Sequence, residues 1–237
     1  MNENQIHAAQ VEKVREIFSL QDKFNSIVDP NWKRKGFPFY RAAYFEMVEF
    51  GEHLNMWKWW KKTSPGDREQ AVLELVDILH FVVSDVIVRA RTPEFLVGAY
   101  KRAAGKKTVD CEPNYDIVYE MIDDFIAMTI VGCTYGSTVG IPAKQFFDVC
   151  ASIGVTLDEL VQKYIGKNVL NVFRQDKGYK TDGYVKIWGK GPGNIDLEDN
   201  HYLVQFRDEL GDQLTFDALY AKLEQKYAEV LSTTHQQ

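Results

Sequence analysis

An all-α fold, a compact bundle of about eight helices, is what the sequence predicts, on three observations. Helical periodicity runs through most of the 237 residues. The alternating signature of strands between turn clusters is nearly absent. Helix-start residues also recur at segment ends. In order along the chain, apolar spacing predicts helices near 5–27, 39–54, 66–91, 93–104, 113–133, 143–153, 157–173 and 216–231. For the third, Ser64 is the expected N-cap, with Pro65 at the first helical position. For the seventh, Thr156 and Glu159 form a capping box. Arg174–Asn200 lacks helical periodicity and is rich in Gly, Lys and aromatics, so a long loop is expected in the C-terminal third. No internal repeat or linker divides the chain, and a single domain over 1–237 is expected.

Composition narrows the class. With 45% hydrophobic and 26% charged residues the chain is of globular type. A formal net charge of -6 argues against a general nucleic-acid binder, and no apolar stretch reaches the roughly 18 residues of a membrane span. The N-terminus is polar rather than leader-like. Cys111, Cys133 and Cys150 are odd in number and show no ligand spacing, which predicts reduced core thiols and a cytoplasmic protein.

The helix AVLELVDILHFVVSDVIV, Ala71 to Val88, is apolar nearly all round, the mark of a buried rod. Its polar exceptions are Glu74, Asp77, His80, Ser84 and Asp85; of these Glu74, Asp77, His80 and Ser84 recur every three or four residues and so share one face. Glu46 and Glu49 repeat that spacing on the preceding helix, within FEMVEFGEHLNMWKWWKK. Buried carboxylates without partners are prohibitive, at several kcal/mol each even after relaxation. A cation among them resolves the conflict. Oxygen ligands without thiolates favour Mg2+, or Mn2+, over zinc, and four carboxylates suit two or more ions clamping a phosphate chain. The bland alternative is a solvated acidic face, more plausible for Glu46 and Glu49 than for Glu74 and Asp77. A di-iron bundle needs two Glu-x-x-His pairs, and only Asp77 with His80 approximates one.

From Lys163 to Lys190 there are seven basic residues and two acidic ones. Such a segment suits anionic phosphate, with Arg174 able to grip oxygens bidentately, although a solvated loop is the commoner meaning of a charge run. No Walker A motif is present, because Tyr184 follows Gly183 where Lys is required.

Taken in order, LQDKFN at 20–25, EMVEFGEH with WKWW at 46–60, LELVDILHF at 73–81 and KNVLNVFRQDKGYK through KIWGK to EDN at 167–200 resemble the dimeric all-α dUTP diphosphatase (dUTPase) family. The resemblance implies Mg2+-dependent hydrolysis of dUTP, and of dUDP, to dUMP by a homodimer. It implies Glu46, Glu49, Glu74 and Asp77 as metal ligands, with Glu49 also activating water. Gln21, Asn25 and the backbone near Trp59 would read uracil, with Phe81 against the base. His80 and Asn171 would meet the 3′-hydroxyl. Arg174, Tyr179 and Lys180, with Lys167 and Asn168 nearby, would hold the phosphates. A helical pyrophosphatase with another base preference, for dCTP or broad house-cleaning, would keep the metal stripe. A helical partner-binding protein with incidental acidic faces would need none of it.

Overall fold

The computed structural model describes residues 2–104, 113–134 and 140–234. The helices are α1 (Glu3–Val28), α2 (Phe39–Leu54), α3 (Arg68–Val88), α4 (Pro93–Ala104), α5 (Tyr115–Thr134), α6 (Ala143–Ser152), α7 (Leu157–Asp176), α8 (Asp199–Leu210) and α9 (Phe216–Thr234). The only strands among the described residues are β1 (Ile187–Lys190) and β2 (Asp196–Glu198), an antiparallel pair. The all-α class holds. No helix among the described residues is long and apolar enough to cross a membrane. The chain divides into two compact units, Met1–Tyr164 and Ile165–Gln237.

In the first unit α3 is the central rod. It is buried on nearly every side, packs most extensively along α2, and also meets α1. Around this pair, α4 packs on α1 and α6, and α5 packs on α2 and α6. The core runs through Ile17, Met47, Phe50, Leu73, Ile78, Phe125 and Phe146, all essentially inaccessible. Cys150 is buried within it; Cys111 and the side chain of Cys133 lie outside the described residues.

Local chemistry sets the helix ends. Asn2 and Gln5 form a reciprocal capping box on α1. The α3 cap differs from expectation: the helix begins at Arg68, and Asp67 rather than Ser64 accepts from the Glu69 and Gln70 backbone N–H groups, at 2.9 and 3.1 Å. A carboxylate that meets two first-turn donors and complements the positive helix end outcompetes an upstream hydroxyl. Gly66 instead belongs to the α2–α3 connection, donating to Leu54 O at 3.1 Å, and a Cβ there would lie 1.8 Å from His53 O. On α7, Thr156 Oγ1 accepts from Glu159 N at 3.1 Å, while the Glu159 carboxylate pairs with Arg68 at 3.2 Å.

In the second unit, Val169, Leu170 and Phe173 of α7 pack with Trp188, with Leu203 and Phe206 of α8, and with Leu219, Leu223, Tyr227 and Val230 of α9. The expected 174–200 loop is largely built. Helix α7 continues to Asp176, a 3-10 turn spans Tyr179–Thr181, and the β1–β2 hairpin occupies most of the remainder. Helix α8 was not expected at all. Its buried residues are only Asp199, Leu203 and Phe206, too narrow a stripe to register as amphipathic, and strands of four and three residues are too short for alternation to show.

Candidate functional site

Helices α2 and α3 bring one carboxylate oxygen each from Glu46, Glu74 and Asp77 within 4.8 Å of one another. Glu74 is buried and the other two are half-buried. Burial, and then the charges of Asp77, Glu74 and Glu49, push the Glu46 carboxyl up to about 8. His53 Nε2 lies 3.4 Å from Glu74 Oε1, and that hydrogen bond, opposed by burial, raises the imidazole above its usual value. Crowding of the three acids, together with burial, favours a proton on Glu46. The donors of the cluster are all carboxylate oxygens, the set that suits a hard divalent cation. Glu49, one turn along α2, is exposed and lies outside this trio, although its charge acts on Glu46 and His53.

Helices α2 and α3 also contribute to the wall of an apolar cavity of about 490 Å³. Phe24 and Asn25 of α1, Trp32, Phe45 of α2 and Phe81 of α3 are among its lining. Ala42 in that wall precedes Glu46 by one turn, and Phe81 follows Asp77 by one turn. An apolar group in the cavity therefore sits close along the helices to anything held by the acids. Asn25 is one of the few polar groups in that wall.

Behind the wall Asn25 joins a buried chain of side chains. Gln21 Nε2 donates to Asn25 Oδ1 at 2.8 Å, Asn25 Nδ2 to Ser84 Oγ at 2.9 Å, and Ser84 Oγ to the His80 carbonyl at 2.7 Å. Gln21 Oε1 meets His80 Nδ1 at 2.7 Å and also accepts from the Tyr164 hydroxyl. The Tyr164 and His80 rings stack with centroids 4.0 Å apart. Gln21, Asn25, His80 and Phe81 are thus brought together in the first unit. Trp59 is 88% exposed in the α2–α3 connection, edge-on to Trp60.

The expected phosphate residues gather in the second unit and at the end of α7. Asp199, inaccessible to solvent, takes both Arg174 Nε and Arg174 Nη2 at 2.8 Å, and Tyr184 donates to it at 2.8 Å. Burial opposes the Asp199 charge, yet the Arg174 bonds, the Tyr184 hydroxyl and Lys167 hold its pKa below the usual range. Arg174 Nη1 lies 3.3 Å from Asn171 Oδ1, and the guanidinium rests 5.6 Å from the Tyr179 ring. Lys167 donates to Asn200 Oδ1 at 3.0 Å, and the buried Asn168 Nδ2 has no hydrogen-bond partner. Lys180 is exposed in the 3-10 turn.

Sequence reasoning did not single out Tyr164, Tyr184 or Asp199. Tyr164 reads as another core aromatic on α7, and nothing in its spacing signals the hydroxyl's partner. Tyr184 was noticed only as a mismatch to a nucleotide motif. Asp199 had a faint signal, an acid in EDN downstream of a basic run.

Acids facing each other from two adjacent helices that also wall an aromatic cavity with an amide in it are an arrangement that suits a helical enzyme acting on nucleotide phosphates. A family model described as dUTPase matches residues 13–179, and the chain belongs to this all-α dUTPase family, whose activity is dUTP hydrolysis. No curated protein matches the chain. The matched region contains every candidate site residue named above from Gln21 to Tyr179, whereas Lys180, Asp199, α8 and α9 lie beyond it.

Proposed function

We propose that this dUTPase is Mg2+-dependent, converts dUTP to dUMP and pyrophosphate, and accepts dUDP as well. The observation that carries the proposal is the convergence of Glu46, Glu74 and Asp77 on the two helices that also wall the apolar cavity. Those three, with Glu49, are the proposed ligands. Bound Mg2+, two or more ions with Mn2+ as a substitute, supplies charge neutralisation to the phosphate oxygens. Glu49, exposed at the edge of the cluster, orients a water and accepts its proton as the water oxygen bonds to the β-phosphorus. The anhydride bond to the α-phosphate oxygen breaks, and dUMP departs with that bridging oxygen.

On the substrate side, Asn25 and Gln21 offer amide groups to uracil, Phe81 covers its face, and the backbone near Trp59 completes the edge. His80 and Asn171 take the 3′-hydroxyl. Arg174, Tyr179 and Lys180, with Lys167 and Asn168, balance phosphate charge. The proposal includes one functional domain over 1–237, a homodimer and a cytoplasmic setting, and no nucleic-acid or membrane partner.

The test is phosphate and pyrophosphate release from dUTP, dUDP, dCTP, dTTP and UTP, with Mg2+ and with chelator. Preference for dUTP, cleavage of dUDP, and silence with chelator support the proposal. Equal turnover of dCTP or dTTP would discard the uracil assignment and leave a related pyrophosphatase of broader base preference. Full activity in chelator would discard the metal.

A further inference from the structure

The buried chain behind the cavity has only one possible direction. A backbone carbonyl can only accept, so Ser84, 2.7 Å from the His80 carbonyl, must donate there. Its oxygen is then the acceptor for Asn25, so the Asn25 atom at 2.9 Å is Nδ2 and its other atom is Oδ1. Oδ1 in turn requires Nε2 of Gln21 at 2.8 Å, which turns Gln21 Oε1 toward both His80 Nδ1 and the Tyr164 hydroxyl. An amide oxygen cannot donate, so Nδ1 carries the proton and the neutral ring keeps Nε2 as an acceptor. The carbonyl of His80 thereby sets the tautomer of its own imidazole through Ser84, Asn25 and Gln21.

We propose that Ser84 and Tyr164 are positioning residues for base and sugar recognition: by fixing the polarity of the Gln21–Asn25–His80 chain, they determine which groups face the nucleotide. The inference rests on the base site proposed above. With the chain in this direction Asn25, in the cavity wall, has its second Nδ2 proton left to present. A donor there matches a uracil carbonyl and opposes the exocyclic amine of cytosine. His80 Nε2 is an acceptor suited to a sugar hydroxyl. Without the Ser84 hydroxyl, both amides can rotate and the donor edge is no longer unique. Without the Tyr164 hydroxyl, Gln21 Oε1 loses one of its two donors. The four polar side chains besides Tyr164 are at most 9% exposed, so water does not readily replace a lost partner.

The experiment measures kcat/KM for dUTP and dCTP in Ser84→Ala, Ser84→Thr and Tyr164→Phe, with melting temperatures alongside. In Ser84→Ala the dUTP-over-dCTP ratio should fall by about tenfold or more, the scale expected when a buried hydrogen-bonding group loses its fixed orientation. Ser84→Thr, which keeps a hydroxyl able to bond the i−4 carbonyl, should restore it. Tyr164→Phe should lower the ratio by a smaller factor. Nitrogen-15 NMR of His80 supplies a readout without activity: the native ring should be protonated on Nδ1, and Ser84→Ala should show a tautomer mixture. A native Nε2–H tautomer overturns the proposal, as does an unchanged ratio in folded Ser84→Ala and Tyr164→Phe proteins. Should Ser84→Ala fail to fold, Tyr164→Phe and the native tautomer decide by the same criteria. If Asn25→Ala alone leaves base preference intact, the base-site reading itself has failed.

Discussion

Asp199 clasps Arg174 with both carboxylate oxygens, each 2.8 Å from a guanidinium nitrogen, although Asp199 is inaccessible and the Arg174 side chain only 11% exposed. A buried charge pair is poor evidence of net stability, but breaking one from a single side leaves the other charge stranded. Asp199→Asn should therefore destabilise the fold by about 3–5 kcal/mol in urea unfolding. The pH dependence has a definite sign. Because the folded pKa of Asp199 lies below its usual value, its stabilisation is present above the unfolded pKa and is lost as pH falls through the folded one. The stability gap between wild type and Asp199→Asn should accordingly narrow on acidification; a gap that widens there would contradict this account.

The acid cluster titrates in the opposite sense. Glu46 is raised from 4.5 to about 8 by burial and by the neighbouring carboxylates, so the folded state retains a proton that the unfolded chain gives up. Its contribution to stability is fullest below pH 4.5 and declines as pH rises toward 8. A divalent cation must displace that proton. Mg2+ affinity without nucleotide should climb about tenfold per pH unit below the raised pKa and level off above it, with proton release visible by calorimetry in buffers of different ionisation enthalpy. Affinity that is flat across this range would mean that Glu46 does not bind the ion.

Removing one acid separates a metal site from an incidental acidic face. Glu74→Gln relieves repulsion on Glu46 and Asp77, so the metal-free variant should melt no lower than wild type, or higher. Its Mg2+-dependent turnover should nonetheless fall by at least about 100-fold. A variant that is both active and unchanged in melting would demote the cluster to surface chemistry.

Legibility followed the periodicity. Helix α3 was readable because Glu74, Asp77, His80 and Ser84 form one polar stripe at helical spacing along a largely apolar rod, and Glu46 on α2 repeats the signal. The partners of those groups were less readable, because they depend on tertiary approach. Tyr164 reaches Gln21 from 143 residues away, and its neighbours on α7 give no hint of a buried polar contact. Helix α8 escaped because its buried stripe is narrow, and Asp67 displaced Ser64 as a cap because charge decided between two nearby candidates. Glu49 shares its spacing with Glu46, yet the structure leaves it exposed and outside the trio. Spacing shows that two residues share a helix face, not that both reach the same point.

That separation makes Glu49 the most informative single substitution. A ligand buried in the cluster is spent on the cation, whereas an exposed ligand at its edge keeps access to water and can also take its proton in the transition state. Glu49→Gln keeps size and hydrogen bonding but removes the base. It should lower kcat by roughly 10²–10⁴-fold, the usual worth of a general base, with KM for dUTP little changed. If the proposed division of labour holds, Mg2+ affinity should fall less in Glu49→Gln than in Asp77→Asn, because Asp77 belongs to the trio and Glu49 does not. Equal losses of Mg2+ affinity in the two variants would make Glu49 chiefly a ligand. An unchanged kcat would place the base elsewhere, and His53, 3.4 Å from Glu74, would be the next group to substitute.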